Sequence, residues 1–164
     1  MIDLKSNIKI IILILLLLDC FSCTDHKNLM GTEPTITQGI WGRVEFWEGD
    51  FMPRPPDEKS TGTITYVCRK IFIYELTHYN QVHSIPENSA FFDRIFTSRI
   101  AKTWSNAEGY YQIALPSGHY SLFVEENGLL YANRFGDDGS IQPVIVLPDS
   151  VTQYDIKIDY KAYW

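Results

Sequence analysis

Apolar and polar residues alternate with a period of two along most of the chain beyond residue 39. The alternation is clearest in residues 155–161 and recurs in 111–115 and 120–124. Successive side chains of a strand point to opposite faces, so this pattern predicts strands that bury one face and expose the other. The residues predicted to face the core in these segments are Ile156, Ile158, Tyr160, Tyr111, Ile113, Leu115, Tyr120, Leu122 and Val124.

Clusters of Gly, Pro, Asn and Asp divide this region into short runs that are typical of strands, and no convincing helical period interrupts them. The insert 49–61, which contains three prolines, and the polar segment 77–90 are predicted to be loops. Seven or eight strands at this spacing indicate an all-β sandwich. The predicted strands are 40–47, 63–76 (one strand or two), 95–104, 110–115, 119–125, 129–135, 141–147 and 152–160.

Three short polar stretches are predicted to be turns. Residues 116–118 have the length of a tight hairpin loop between two predicted strands, with a glycine available for a positive φ. Residues 106–109 and the dipeptide Asn127-Gly128 also have turn composition. The acids Glu125 and Glu126 end the preceding strand and must point to opposite faces, so they cannot converge as an acid/base pair.

The first 22 residues resemble a bacterial lipoprotein signal peptide. Two lysines precede an unbroken apolar run, 10–18, which is shorter than the roughly 20 residues that span a bilayer. The resemblance to that class of signal peptide implies that a small residue precedes the cysteine that is lipidated. Ser22 before Cys23 fits this rule, whereas Asp19 before Cys20 fits it poorly. Cys23 is therefore the preferred lipidation site and Cys20 the alternative.

This interpretation divides the chain into three parts. Residues 1–22 are the signal peptide, residues 23–38 are the lipidated cysteine with a flexible tether, and residues 39–164 are the folded domain. We expect a membrane anchor of fatty acyl chains such as palmitate. If Cys20 is removed and Cys23 acylated, Cys68 is left without a disulfide partner, and its apolar context predicts a buried structural thiol. The alternative interpretation is an ordinary signal peptide whose neighbouring cysteines are not lipidated.

The composition is typical of a globular domain and argues against a nucleic-acid-binding protein. Apolar residues make up 45% of the 164 residues, which is enough for one globular domain of ordinary size. The net charge is −6, and the chain has no run of Lys and Arg, so we expect no nucleic-acid partner.

Five short segments of glycine, proline and strand residues follow one another in a recognisable order along the domain. They are Gly42-Arg43-Val44, Gly49 to Pro53, Ile71 to Tyr74, Ser105 to Ile113 and Leu115 to Leu122. This order resembles that of the carboxypeptidase regulatory-like domain. The resemblance covers residues 39–160 and implies a transthyretin-like (prealbumin-like) β-sandwich, as found in small lipoproteins of the Bacteroidota type. It carries over no zinc ligand and no catalytic acid, because that domain is the non-catalytic part of the enzymes it is named after.

The sequence gives little support for catalysis or for a cofactor. Ser117, His119 and Glu125 have the residue types of a hydrolytic triad. No nucleophile-elbow signature surrounds Ser117 or the nearby Ser105. His78 and His83 lie five apart in a polar segment, without a third zinc ligand in sequence. Residues 137–140 carry oxygen atoms of the kind that calcium binds, but their composition predicts a turn. We predict no catalytic, cofactor or metal site.

The chain has more aromatic residues than one small core easily absorbs. Some of them are candidates for an outward platform that binds sugar or peptide, and the tentative contacts are Trp41, Trp47 and Tyr110. The competing interpretation is that outward aromatics cover cross-strand neighbours or the tether. We therefore expect a non-enzymatic, lipid-anchored envelope module, in the outer membrane, that contacts an envelope protein. The alternative is a carbohydrate-binding accessory lipoprotein that uses exposed aromatics.

Overall fold

The computed structural model describes residues 33–55 and 58–164. Their regular structure is β throughout, apart from a 3₁₀ turn at Tyr79–Gln81, so the predicted all-β class is confirmed. Twelve strands form two sheets, of five and seven strands. They are β1 (Gly39–Asp50), β2 (Thr63–Tyr66), β3 (Lys70–Glu75), β4 (Val82–Ile85), β5 (Asn88–Ile95), β6 (Arg99–Trp104), β7 (Tyr110–Ala114), β8 (Gly118–Glu126), β9 (Leu129–Tyr131), β10 (Pro143–Val146), β11 (Val151–Gln153) and β12 (Ile156–Tyr163).

Strand β1 is the centre of the five-stranded sheet. Its first half pairs with β7 in antiparallel and with β11 in parallel orientation. Its second half pairs with β2 in antiparallel and with β12 in parallel orientation. Its inward residues Ile40 and Val44 belong to the core between the two sheets and are fully buried. The outward residues of the same strand are Trp41, Arg43, Glu45 and Trp47.

Strand β8 holds the same position in the seven-stranded sheet, whose order is β4-β5-β9-β8-β3-β6. The second half of β8 pairs with β9, whereas its first half pairs with β10. Strand β3 pairs with β8 on one side and with the edge strand β6 on the other. This arrangement leaves one face of β3 and β6 directed away from the sandwich.

The main core lies between the two sheets. The residues predicted to face it are buried in β7, β8 and β12, apart from Ile113 and Tyr160, which are half-buried. A second, smaller cluster lies on the opposite face of the seven-stranded sheet, where Phe92 and Phe123 pack with Ala132 and Ile141. The loops of residues 76–82 and 132–142 cover this face, as shown by the hydrogen bond from Ile141 N to Thr77 O (2.8 Å).

The structure corrects three details of the prediction. Residues 116–118 do not form a hairpin, because β7 belongs to the five-stranded sheet and β8 to the other. The short link therefore crosses between sheets, and both strands bury their apolar faces against each other. The segment 77–90 is not a loop but contains β4 and the start of β5, whose polar residues hide the alternation. These strands, with the separate β11, raise the number above the predicted seven or eight.

Other turns are confirmed. Asn127 (φ 53°) and Gly128 (φ 79°) join β8 to β9 as a two-residue hairpin loop with two left-handed residues. In residues 106–109, the Asn106 side-chain oxygen accepts hydrogen bonds from the backbone N–H groups of Glu108 and Tyr110.

The described residues contain no helix with the length and hydrophobicity that a membrane span requires.

Candidate functional site

The three tentative ligand contacts lie on the outer face of the five-stranded sheet. Trp41 and Trp47 point outward from β1, and Tyr110 points outward from β7 opposite Arg43. Six residues of a strand separate the two tryptophans, which corresponds to about 20 Å. They therefore belong to two different places on the face rather than to one site.

Tyr110 is not accessible as a ligand contact, because only 2% of its surface is exposed, and the interpretation that outward aromatics pack against the tether fits this residue. The direction of its side chain was predicted correctly, but residues 33–37 run across this part of the outer face. The Tyr110 hydroxyl donates to the backbone oxygen of Glu33 (3.3 Å), and its ring lies 6.1 Å from that of Trp41. Burial raises the pKa of Tyr110. The segment that precedes β1 thus covers Tyr110, whose ring packs beside Trp41.

The described end of the predicted tether is hydrogen-bonded to β7. Thr35 N donates to Gln112 Oε1 (2.9 Å), and Gln112 Nε2 donates back to Thr35 Oγ1 (2.8 Å). Gln38 Nε2 donates to the backbone oxygen of Leu115 (2.8 Å). Residues 33–38 are therefore part of the folded domain, which begins before Gly39.

Trp47 lies in a second group of rings, which we call the aromatic cluster and define as Trp47, Phe51, Trp164 and Lys157. The Trp47 and Phe51 rings are 4.9 Å apart, and the Phe51 and Trp164 rings stack at 5.3 Å with an angle of 26°. Trp164 is 58% exposed. The parallel pairing of β1 with β12 brings these residues together, because Asp50 lies opposite Tyr163 in the ladder.

Lys157 places its ammonium group over both indoles of the aromatic cluster. Lys157 Nζ lies 4.1 Å from the ring centre of Trp47 and 3.8 Å from that of Trp164. The negative face of an indole attracts a cation at such distances. Lys157 Nζ also lies 3.4 Å from Asp159 Oδ2, so the group is held by one carboxylate and two rings.

Polar contacts fix the edges of the aromatic cluster. The Trp47 indole N–H donates to Glu45 Oε2 (3.0 Å). In the turn after β1, Met52 N donates to Asp50 Oδ1 (2.8 Å), and Arg54 pairs with the other oxygen of the same carboxylate. These contacts lower the pKa of Asp50 and hold Phe51 against the rings. The arrangement offers an exposed flat ring with charged groups beside it, which suits recognition of a surface or of a ring-bearing ligand.

The residues of the hydrolytic triad do not converge. Ser117 precedes β8, and Glu125 lies near its other end, so their backbones are separated by about 25 Å along the strand. Glu125 points outward and pairs with Lys70 (2.8 Å), whereas Glu126 is 5% exposed and points inward. The prediction that the two acids face opposite sides is confirmed.

The histidines and the acidic turn also have separate contacts. His83 contacts Asp93 (2.7 Å), and His78 lies 3.7 Å from Asp138. Asp138 Oδ1 accepts hydrogen bonds from Ser140 N (3.0 Å) and Oγ (2.6 Å), which lower the pKa of Asp138 and close the predicted turn. Residues 33–55 and 58–164 contain no group of three His, Cys, Asp or Glu residues placed to hold a metal ion.

Cys68 differs from the prediction. It is half-buried in the link between β2 and β3 and is disulfide-bonded, so it is not an unpaired thiol in a strand. The predicted lipidation sites Cys23 and Cys20 lie outside the described residues. A cysteine sulfur that carries a lipid thioether cannot also join a disulfide, which makes the state of the three cysteines a test of the anchor.

Sequence reasoning missed three members of the aromatic cluster: Phe51, Lys157 and Trp164. The abundance of aromatic residues was visible in the sequence. The parallel pairing of β1 with β12, which brings these three residues to Trp47, was not.

Comparisons of the chain with family models, curated proteins and solved structures find no match.

Proposed function

We propose that the protein is a non-catalytic, lipid-anchored module of the bacterial cell envelope that binds a partner protein through the aromatic cluster. The observation that carries the proposal is Trp164, a large ring that is 58% exposed and held in place by Phe51 and Lys157. Rigid, exposed aromatic residues dominate the energetics of many protein interfaces. The resemblance to the carboxypeptidase regulatory-like domain, a non-catalytic module, supports the same role.

Co-purification tests the proposed interface. The full-length chain is solubilised in detergent from membranes of its native host, and co-purifying envelope proteins are quantified by mass spectrometry. Trp164→Ala is expected to lower the recovery of a partner by about tenfold or more, as at an interface hot spot. Phe96→Ala is the matched control, because Phe96 is 61% exposed and lies outside the aromatic cluster. Equal recovery with both variants would contradict the proposal.

Carbohydrate binding is the second candidate function for this cluster. It is favoured by the ring of Trp164 beside the ammonium group of Lys157, which pairs a stacking surface with a hydrogen-bond donor. On a glycan array, the purified chain is then expected to show saturable binding that is lost in Trp47→Ala and Trp164→Ala. Trp41→Ala is the control, since Trp41 lies about 20 Å away along β1. An array without hits would contradict this candidate and leave the protein-binding proposal standing.

The lipid anchor is tested by metabolic labelling with a palmitate analogue. The wild-type chain is expected to be labelled and Cys23→Ala to remain unlabelled. Labelling that survives Cys23→Ala and is lost in Cys20→Ala moves the anchor to Cys20. Thiol alkylation of the same samples, with and without reductant, reports whether the labelled chain keeps the disulfide of Cys68. A disulfide within the labelled chain would contradict Cys23 as the anchor, because the lipid thioether occupies the sulfur of Cys23 and Cys20 would have been removed with the signal peptide.

A further inference from the structure

Three cross-strand pairs on the outer face of β3 and β6 each join one cation to one aromatic residue. Ile71 and Ile73 of β3 are fully buried in the main core, so the intervening residues of the strand point outward. Directly paired residues of two strands share a face. We call the resulting six residues the cation–aromatic ladder; its rungs are Lys70 with Trp104, Lys102 with Phe72, and Arg99 with Tyr74.

The cations of the ladder lie over its rings. Lys70 Nζ is 5.8 Å from the ring centre of Phe72 and 5.9 Å from that of Trp104. Lys102 Nζ is 5.3 Å from the Trp104 ring, and Arg99 Cζ is 5.6 Å from the Phe72 ring. Phe72 and Trp104 therefore each contact one cation of their own strand and one of the neighbouring strand, which holds the charged groups at fixed positions on the face. The third ring, Tyr74, packs edge-on against Phe123 instead (5.5 Å between ring centres).

Two of the three cations have no acidic partner among the residues that the structure describes. Lys70 pairs with Glu125 (2.8 Å), but no described carboxylate lies within 4 Å of Lys102 or Arg99. Both residues are exposed. The ladder thus carries three positive charges and the one negative charge of Glu125, a net +2, on a chain whose net charge is −6. A fixed positive face on an acidic protein indicates an anionic ligand.

We propose that the cation–aromatic ladder binds an acidic polysaccharide, a linear chain of sugars that carry carboxylates. Outward residues of a strand repeat about every 7 Å, so the three rungs extend over about 14 Å and present a cation at each step. Sugar carboxylates pair with the ammonium and guanidinium groups. The C–H faces of the sugar rings pack on the aromatic faces, whose quadrupole is negative.

The exposed surface of the ladder suits a polymer better than a lipid bilayer. Phe72 and Trp104 are half-buried and capped by cations, so they offer little apolar area for insertion. Ile100, the extra residue of the bulge in β6, is an exposed apolar side chain beside the ladder, at 43%. Membrane-surface binding by a protein face needs a broader apolar area than this. The ladder is also on the other sheet from the aromatic cluster, so either proposal can fail without the other.

Affinity electrophoresis of the detergent-purified full-length chain tests the ladder, with polygalacturonate in the gel and neutral galactan in a parallel gel. Wild type is expected to be retarded by polygalacturonate alone, and less so at higher salt. The triple variant Lys70→Gln/Lys102→Gln/Arg99→Gln is expected to bind about 10- to 100-fold more weakly, since each exposed ion pair contributes about two- to fivefold.

The matched control is a second triple variant with the same change of charge. It is Lys59→Gln/Arg94→Gln/Lys161→Gln, which removes exposed cations outside the ladder, and it is expected to keep wild-type retardation. Loss of retardation in both triple variants would show an effect of net charge and overturn the proposal, as would the absence of retardation in wild type. Ladder-dependent binding to phosphatidylglycerol vesicles without retardation by polygalacturonate would also overturn it and assign the face to a membrane. Circular dichroism confirms that both variants fold.

Discussion

Arg69 and Glu126 form an ion pair that joins the two sheets on the inner side of β8. Glu126 Oε1 contacts Arg69 Nε, and its other oxygen accepts a hydrogen bond from the Tyr160 hydroxyl (3.0 Å) on β12. The two partners differ in exposure: the Glu126 side chain is 5% exposed and that of Arg69 is 31% exposed. This difference predicts that removing the exposed partner costs more stability than removing the buried one.

The magnitudes follow from what each substitution leaves behind. Arg69→Met leaves a buried carboxylate with one hydroxyl donor, and an uncompensated buried charge costs about 3–5 kcal/mol. We expect about 3 kcal/mol, because the site is not sealed from water. Glu126→Gln leaves an arginine that can turn into solvent and keeps an acceptor for Tyr160, so we expect about 1–2 kcal/mol. The double variant is expected to cost less than Arg69→Met alone.

Chemical denaturation of the four proteins measures these free energies of unfolding. For a domain of this size, each 1 kcal/mol also lowers Tm by about 3–5 °C. The neighbouring pair Lys70–Glu125, which joins β3 to β8 on their outer face, is the internal control. It is about a third exposed on both sides, so Glu125→Gln should change stability by less than about 1 kcal/mol. If Arg69→Met costs no more than Glu126→Gln, or if the two effects simply add, the argument from burial is refuted.

Three further predictions concern packing and pH. A Cβ at Gly42 would lie 2.0 Å from the backbone oxygen of Tyr154, so Gly42→Ala is expected to lower the free energy of unfolding in urea by about 3 kcal/mol. At Gly128 a Cβ would meet no atom within 4 Å, so Gly128→Ala should lower it by only about 1 kcal/mol, because of the left-handed backbone. Phe123→Ala is expected to cost about 3–5 kcal/mol, and a loss below about 1 kcal/mol would show that the second cluster is not packed. Burial raises the pKa of Tyr111 well above its usual value, so its stabilisation is complete below about pH 10 and is lost as the pH rises further. Phenolate absorbance of Tyr111, compared with Tyr111→Phe, should appear together with unfolding and not before it.

The faces of the strands could be predicted from the sequence, because the period of two is a local property. Tyr111 and Val124 are buried as expected, and Tyr110 points outward as expected. What covers an outward residue is not local. The segment that buries Tyr110 includes Glu33, 77 residues earlier in the chain, and nothing in the alternation of β7 indicates that contact.

Strand pairing is the second property that the sequence left open. A link of three residues at 116–118 suits a hairpin and a crossing between sheets equally well, since both bury the same apolar faces. Only the choice of neighbours distinguishes them, and β7 pairs with β1 rather than with β8. The aromatic cluster depends on the same kind of choice. Trp47 and Trp164 meet only because β1 and β12 pair in parallel.

Two cations of the ladder also protect the edge strand β6 from pairing with other chains, whether or not a ligand binds. Strand β6 is an edge of its sheet, and a flat, apolar edge strand tends to pair with other chains. Lys102 and Arg99 oppose such pairing by repulsion. This explains why cations belong on the edge, and Tyr74 of β3 is explained by its packing against the second cluster. Neither fact explains why Phe72 and a third cation, Lys70, continue the row on β3, which already has a neighbour on each side. Edge protection requires charge on one strand, whereas the ladder extends across two. That extension is the reason for assigning the face to a ligand rather than to solubility alone.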